Sequence, residues 1–182
     1  MSLTNSDLQY YDGNVLRLPS EKRTEYHAQV DNLITELRKH ITSNSDLKIA
    51  KVVKAGSFAK YTILKKTVDD PIDVDIVFYI SNKNVDDSTL DNLNDLIYTL
   101  LTKIYPTKAV EDFEIQRRAA TVTFVKSGLS VDVVPVIQDA QEPNHGWQYD
   151  LKTKEKNLTC APCHIQFIRD RKNSDKHYRT LV

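Results

Sequence analysis

The run Ile72-Asp73-Val74-Asp75-Ile76-Val77-Phe78-Tyr79-Ile80 constrains the fold more tightly than any other stretch of this chain. Apart from its two aspartates, every residue is β-branched or aromatic, which is the composition of a buried strand. Side chains along a strand alternate faces, so Asp73 and Asp75 project the same way with Cα atoms about 7 Å apart. Two like charges on one face of an apolar strand are costly unless something neutralises them, and a divalent cation between the carboxylates does so. Taken alone, the pair fits a solvent-facing edge strand equally well.

Asp132 repeats the anomaly. It sits in Val131-Asp132-Val133-Val134, again among β-branched residues. The alternative is a tolerated surface carboxylate. Two alternating carboxylates on one strand and a third on another are what a two-metal site needs to hold ions about 4 Å apart during in-line phosphoryl transfer. Gly56-Ser57 adds a fourth part. The chain has only four glycines, and this one lies 17 residues before Asp73, where the short apolar segment Leu47 to Ala55 ends. An ordinary turn glycine is one reading. The other is a glycine that lets the backbone approach a triphosphate, with the Ser57 hydroxyl and nearby N–H groups donating to phosphate oxygens.

The remaining elements follow from periodicity. Tyr26, Val30, Leu33, Leu37 and Ile41 recur at three- and four-residue steps after Pro19-Ser20-Glu21, which predicts a helix over Ser20–Ile41. Leu90, Leu93, Ile97, Leu100 and Ile104 predict a second over Ser88–Ile104, closed by Pro106. Leu47 to Ala55 reads as a strand running into a Gly56-Ser57 turn, and Lys65 to Pro71 as a loop. Phe113 to Val125 and Leu129 to Ile137 read as two strands joined through Lys126-Ser127-Gly128. Gln138 to Leu158 is polar and reads as irregular, and Pro162 opens a last helix toward Arg171. The expected fold is therefore α/β, a mixed, mostly antiparallel sheet backed by the Ser20 and Ser88 helices, with the carboxylates on the open face.

Charge and length narrow the function classes. Lysine plus arginine equals aspartate plus glutamate at 25 each, unlike the basic footprint of a protein that grips long nucleic acid. No apolar run approaches the roughly 20 residues that span a bilayer, so no membrane association is expected. The start MSLTNSDLQYYDG lacks the features of a secretory signal and there are two cysteines, which together predict a cytoplasmic protein.

A Gly-Ser turn, an Asp-x-Asp strand and a later single Asp resemble the signature of the polymerase β superfamily of nucleotidyltransferases. GSFAK with Thr62, DVDIVFYI, SGLSVDVVPVI and TCAPCHIQFIRDRK are similar to the cyclic GMP-AMP synthase/DncV-like branch, the CBASS oligonucleotide cyclases related to oligoadenylate synthase. The likeness spans about Tyr11 to Val182. It implies that Gly56 and Ser57 contact a triphosphate, that Lys60 and Thr62 lie near the phosphates, and that Asp73, Asp75 and Asp132 are catalytic and bind Mg²⁺, with Mn²⁺ as a substitute. Where related sequences often read Gly-Thr after the lysine, this one has Tyr61-Thr62. It also implies that residues 1–182 are the nucleotidyltransferase catalytic domain, without the C-terminal helical lobe of family members. The implied activity joins nucleoside triphosphates into a cyclic di- or oligonucleotide with release of pyrophosphate, a signal that reaches a downstream effector in antiphage defence. Nucleotidyl transfer to an RNA or small-molecule acceptor, and a non-catalytic nucleotide-binding module, are the alternatives.

Cys160-Ala161-Pro162-Cys163-His164 matches a haem-attachment and a redox motif, but neither context is present: export is not indicated and the motif follows four strands. Zinc needs four ligands, and Cys160, Cys163 and His164 supply three, with His145 or His177 as a fourth. The expectation is a helix N-terminus with two small buried thiols. Arg117-Arg118 reads as a solvated strand edge rather than a base or phosphate contact, and Trp147 and Tyr149 as packing over the core.

Overall fold

The computed structural model describes residues 4–60, 63–64, 71–83, 85 and 87–174. A short helix, α1 (Asn5–Tyr11), starts on a capping box in which Thr4 and Asp7 satisfy each other's backbone N–H groups. A π-helical turn, Asp12–Leu16, leads to α2 (Ser20–Asn44), three residues longer than the periodicity predicts. The five residues of the predicted stripe, Tyr26, Val30, Leu33, Leu37 and Ile41, are the ones α2 buries. The Tyr26 hydroxyl also donates to the Ser127 carbonyl at 2.7 Å, tying the helix to a turn about a hundred residues away in sequence.

β1 (Ile49–Lys54) is followed by α3 (Gly56–Lys60), β2 (Ile72–Ile80) and α4 (Asp87–Ile104). Then come β3 (Phe113–Ile115), β4 (Ala120–Phe124), β5 (Leu129–Gln138), β6 (Gly146–Asp150), β7 (Glu155–Thr159) and α5 (Ala161–Ser174). Among the described residues the sheet has seven strands in the order β1-β2-β5-β4-β3, with β6 joined to β5 and β7 to β6. Among the described residues only β2 and β5 pair in parallel, in unbroken register from Ile72 opposite Leu129 to Ile80 opposite Ile137. The mixed, mostly antiparallel sheet is the one expected.

Register sorts the sheet into two faces. Ile72, Val74, Ile76 and Phe78 of β2 and Leu129, Val131 and Val133 of β5 pack with α2 and α4 in the main core. Asp73, Asp75, Val77 and Tyr79 therefore look the other way, and Ala55, Val77, Tyr79, Val136 and Ala161 build a second, smaller apolar cluster on that side.

Three expectations are corrected. Gly56-Ser57 is the opening of helix α3 rather than a turn, because Ala59 N–H reaches back to the Ala55 carbonyl at 3.2 Å. The predicted strand Phe113–Val125 is broken, since Gln116 N–H donates to Ala119 O at 2.8 Å and closes a tight turn around Arg117 and Arg118. The segment Gln138–Leu158, read as irregular, contains the β6–β7 hairpin. Its strands bury only Gly146 and Asp150 and so lack the apolar alternation that marks a strand in sequence. Gly146 is packed where a Cβ would stand 2.6 Å from the Val136 Cγ2. Most of the predicted loop Lys65–Pro71 lies outside the described residues, as does Thr62.

Candidate active site

Parallel pairing of β2 with β5 sets Asp75 directly beside Asp132. Paired residues on adjacent strands share a face, about 4.8 Å apart. Asp73 lies two residues upstream on β2, opposite Ser130, so the three predicted carboxylates share one surface. The row continues outward: Thr121 of β4 pairs with Asp132, and Glu114 of β3 pairs with Thr121. The buried Thr121 hydroxyl donates to the Asp132 carboxylate at 2.6 Å and fixes its orientation. Sequence reasoning missed Thr121 because a threonine in a strand carries no signal until the cross-strand register is known.

Asp75 and Asp132 are both partly buried carboxylates, and their electrostatics reflect it. Burial is the main cause that raises Asp75 above the ordinary carboxylate range, with repulsion from Asp73 adding to it and the Lys60 ammonium opposing it. Asp132 is raised for the same first reason, opposed by the Thr121 hydrogen bond and reinforced by Asp75, Asp73 and Glu114. Asp73 thus destabilises the charge on Asp75 and on Asp132, and Asp75 adds to the effect on Asp132. Oxygen donors that repel one another in a partly dry setting fit a hard divalent cation, which favours such ligands and relieves the repulsion.

Gly56 sits against this cluster. Its φ is +61°, and a Cβ placed on it would lie 1.8 Å from the Asp75 Oδ2. Both the left-handed backbone and the space demand glycine. The contact is set by a 2.8 Å hydrogen bond from Ala55 N–H to the Asp75 carbonyl, which docks the start of α3 onto β2. Phe58 is buried beneath the short helix and stacks at 4.2 Å on His27, while Ser57 is on its exposed side and Lys60 closes it. Gly56, Lys60 and Asp75 line one cleft of about 220 Å³ whose other wall is Gln148, Thr159 and His164. Of the seven predicted site residues, Gly56, Lys60 and Asp75 line this cleft, Asp73 and Asp132 share the face of Asp75, Ser57 is exposed on α3, and Thr62 lies outside the described residues.

The other candidates fall elsewhere. Arg117 and Arg118 are neither a free strand edge nor part of the cleft: both grip the fully enclosed carboxylate of Asp150, at 2.6 and 2.8 Å. The pair of guanidiniums, Arg117 foremost, holds Asp150 far below the usual carboxylate range. Trp147 does not pack over the core; it is exposed at the hairpin and donates from Nε1 to Asp139 at 2.9 Å, whereas Tyr149 packs inward. Cys160 and Cys163 are joined as a disulfide rather than held as two thiols, since one helical turn at the start of α5 sets their Cα atoms 5.3 Å apart, within disulfide range. Only Cys160 is buried. Among the described residues no helix is long and apolar enough to cross a membrane.

The chain is similar to known proteins. The chain is 56% identical, over all its 182 residues, to the CBASS oligonucleotide cyclase CdnC of Escherichia coli strain KTE188, and covers 58% of that protein's length. It is 29% identical over 171 residues to the cyclic AMP-AMP-AMP synthase of E. coli strain MS 115-1, covering 92% of this chain and 51% of that one. The solved structure of E. coli MS115-1 CdnC with ATP superposes with a TM-score of 0.73 at 26% identity, covering 98% of this chain and 55% of that one. The chain thus spans little more than half the length of the relatives it matches. Residues 1–171 match the Second Messenger Oligonucleotide or Dinucleotide Synthetase domain, and the chain belongs to that family.

Proposed function

We propose that residues 1–182 form the nucleotidyltransferase domain of a cyclic oligonucleotide synthase that consumes nucleoside triphosphates and releases pyrophosphate. The observation that carries this reading is the register that puts Asp75 beside Asp132, with Asp73 on the same face and Gly56 in contact with the cluster. The 56% identity to a CBASS oligonucleotide cyclase supports the same choice of product class.

In this reading Gly56 and Ser57 let the backbone and a hydroxyl approach the triphosphate, and Lys60 balances phosphate charge at the end of α3. Asp73, Asp75 and Asp132 would hold the metal ions, with Asp132, aligned by Thr121, holding only the ion that activates the attacking ribose hydroxyl. Bound Mg²⁺, or Mn²⁺ in its place, would lower the pKa of that hydroxyl and neutralise charge on the triphosphate and departing pyrophosphate. The hydroxyl loses its proton, attacks the α-phosphorus of a second nucleotide and displaces pyrophosphate in line. A second such step within the linear product closes the ring, and the product reaches its effector in antiphage defence.

The test is to incubate the four labelled ribonucleoside triphosphates with Mg²⁺ and either wild type or Asp132→Asn. Nucleotide affinity is followed by calorimetry, and products by mass spectrometry and pyrophosphate release. The expected result is a cyclic product from wild type, abolished by excess chelator, with turnover in Asp132→Asn down about 10²-fold or more and nucleotide binding largely kept. Extension of an added RNA or small-molecule acceptor in place of cyclisation would overturn the product class. Nucleotide binding with no pyrophosphate from wild type would reassign the domain as a binding module.

A further inference from the structure

Behind the carboxylate cleft the fold gathers a second set of potential ligands, unrelated to phosphoryl transfer. His145 ends the β5–β6 connection, and Cys160 and Cys163 bracket the first turn of α5; one imidazole nitrogen and both sulfurs lie within 4.8 Å of one another. The 14 residues 146–159 separate His145 from Cys160 and hold the hairpin, so the grouping is made by the β6–β7 pairing.

The backbone around the cluster is already organised. His145 N–H donates to Glu142 O at 2.8 Å and its carbonyl accepts from Asp139 N–H at 3.0 Å, which holds the residue that carries the ring. Cys163 N–H donates to the Cys160 sulfur at 3.1 Å, an interaction that strengthens when sulfur is a thiolate. Cys160 also stands just ahead of the 14-residue α5, where the helix dipole favours negative charge. The imidazole supplies the independent sign. Its Nδ1 is sealed from solvent with no hydrogen-bond partner, and the Glu142 carboxylate stands 4.0 Å away, too far to donate to or accept from it. A ring nitrogen without a hydrogen-bond partner, on the histidine that stands beside the two sulfurs, is a group a metal ion can engage once the disulfide is reduced.

We propose that the reduced protein binds one zinc-class ion through His145, Cys160 and Cys163, with water as the fourth ligand on the exposed side of Cys163. His145 thus joins as the third protein ligand rather than the fourth. His164 stands outside the set, and His177 lies outside the described residues. The disulfide and the metal form exclude each other, because the same two sulfurs serve both. Two equivalents of a thiol reductant, or one dithiol, convert the disulfide to two thiols and are themselves oxidised to a disulfide. Zn²⁺ then displaces the two thiol protons. The ion would clamp the loop before β6 to the N-terminus of α5. Ala161 in that first turn packs on Tyr79 and lines the cleft with Asp75, so the clamp steadies one wall of the active site.

Cobalt(II) titration tests this on the whole 182-residue chain, because thiolate-to-cobalt charge transfer reports sulfur ligation and is silent for ions held by Asp73, Asp75 and Asp132. The reduced wild type should develop the thiolate band to saturation at one equivalent, lose it to added Zn²⁺, and show none of it when oxidised. His145→Ala should keep its fold and bind at least about 10-fold more weakly. No thiolate band in the reduced wild type overturns the site, and a band of unchanged affinity in His145→Ala overturns the three-ligand assignment. Cys163→Ser, which removes one of the two thiolates, should weaken the band; should it fail to fold, the wild-type and His145→Ala titrations decide the matter alone.

Discussion

Gly56→Ala separates a glycine needed for its backbone from one needed for its neighbour. Gly128 provides the reference, because its φ of +70° is as left-handed as that of Gly56, but a Cβ there would meet nothing closer than the Tyr26 hydroxyl at 3.8 Å. Alanine at position 128 therefore incurs only the left-handed strain, about 1–2 kcal/mol, less roughly 0.4–1 kcal/mol recovered from a stiffer unfolded chain. The net is about 1 kcal/mol. At position 56 the same strain is joined by a Cβ 1.8 Å from the Asp75 Oδ2 and 2.9 Å from its Cγ. The Asp75 carboxylate must rotate or β2 and α3 must part, an overpacking cost of about 1–3 kcal/mol. The sum is about 2–4 kcal/mol, or a melting temperature lower by roughly 4–16 °C for a chain of this size.

Removing the carboxylate tests the cause. The Asp75 Cβ would be 3.5 Å from the new methyl, an ordinary contact, so in an Asp75→Ala background Gly56→Ala should cost no more than Gly128→Ala. Urea unfolding of the four combinations of Gly56→Ala and Asp75→Ala, with Gly128→Ala beside them, gives the coupling energy directly. A Gly56→Ala penalty that is the same with and without the Asp75 carboxylate would refute the steric argument and leave only backbone strain.

Thr121→Val keeps the shape of the strand but removes the hydrogen bond that opposes the upward shift of Asp132, so the acid limb of the pH–rate profile should move to higher pH while nucleotide affinity holds. An unmoved limb would show that Asp132 does not govern it. Asp150→Asn should lower the melting temperature at neutral pH, because a carboxylate held below its ordinary 3.8 stabilises the fold fully above that value. The gap between Asp150→Asn and wild type should close only as pH falls below 3.8, toward the depressed folded-state value; a gap that closes nearer neutrality would assign the effect to other groups.

Local signals carried the elements whose chemistry is local. The α2 stripe is legible because five apolar residues at helical spacing can all be buried only on one face, and the structure buries those five. Asp73 and Asp75 are legible as a pair because strand alternation fixes their common direction without reference to any partner. The β6–β7 hairpin was not legible, since Trp147 and Leu158 pair across it while both stay exposed, leaving no apolar period to read. Arg117 and Arg118 looked like a polar strand edge because their partner Asp150 lies more than thirty residues away.

Register was the decisive fact that sequence could not supply. That Asp132 belongs with Asp73 and Asp75 rests on β2 and β5 running parallel with Asp75 opposite Asp132, while α4, β3 and β4 lie between them in the chain. A slip of one residue along β5 would bring Val131 or Val133 beside Asp75 and turn the Asp132 carboxylate into the core under α2 and α4. The apolar residues on either side of Asp132 prevent that slip. Val131 and Val133 are fully buried in the main core, and exchanging them for Asp132 and Val134 would place a charge there without a partner. The packing of the far face therefore sets the geometry of the near one, and the valines that flank Asp132 position it as surely as the threonine that holds its oxygen.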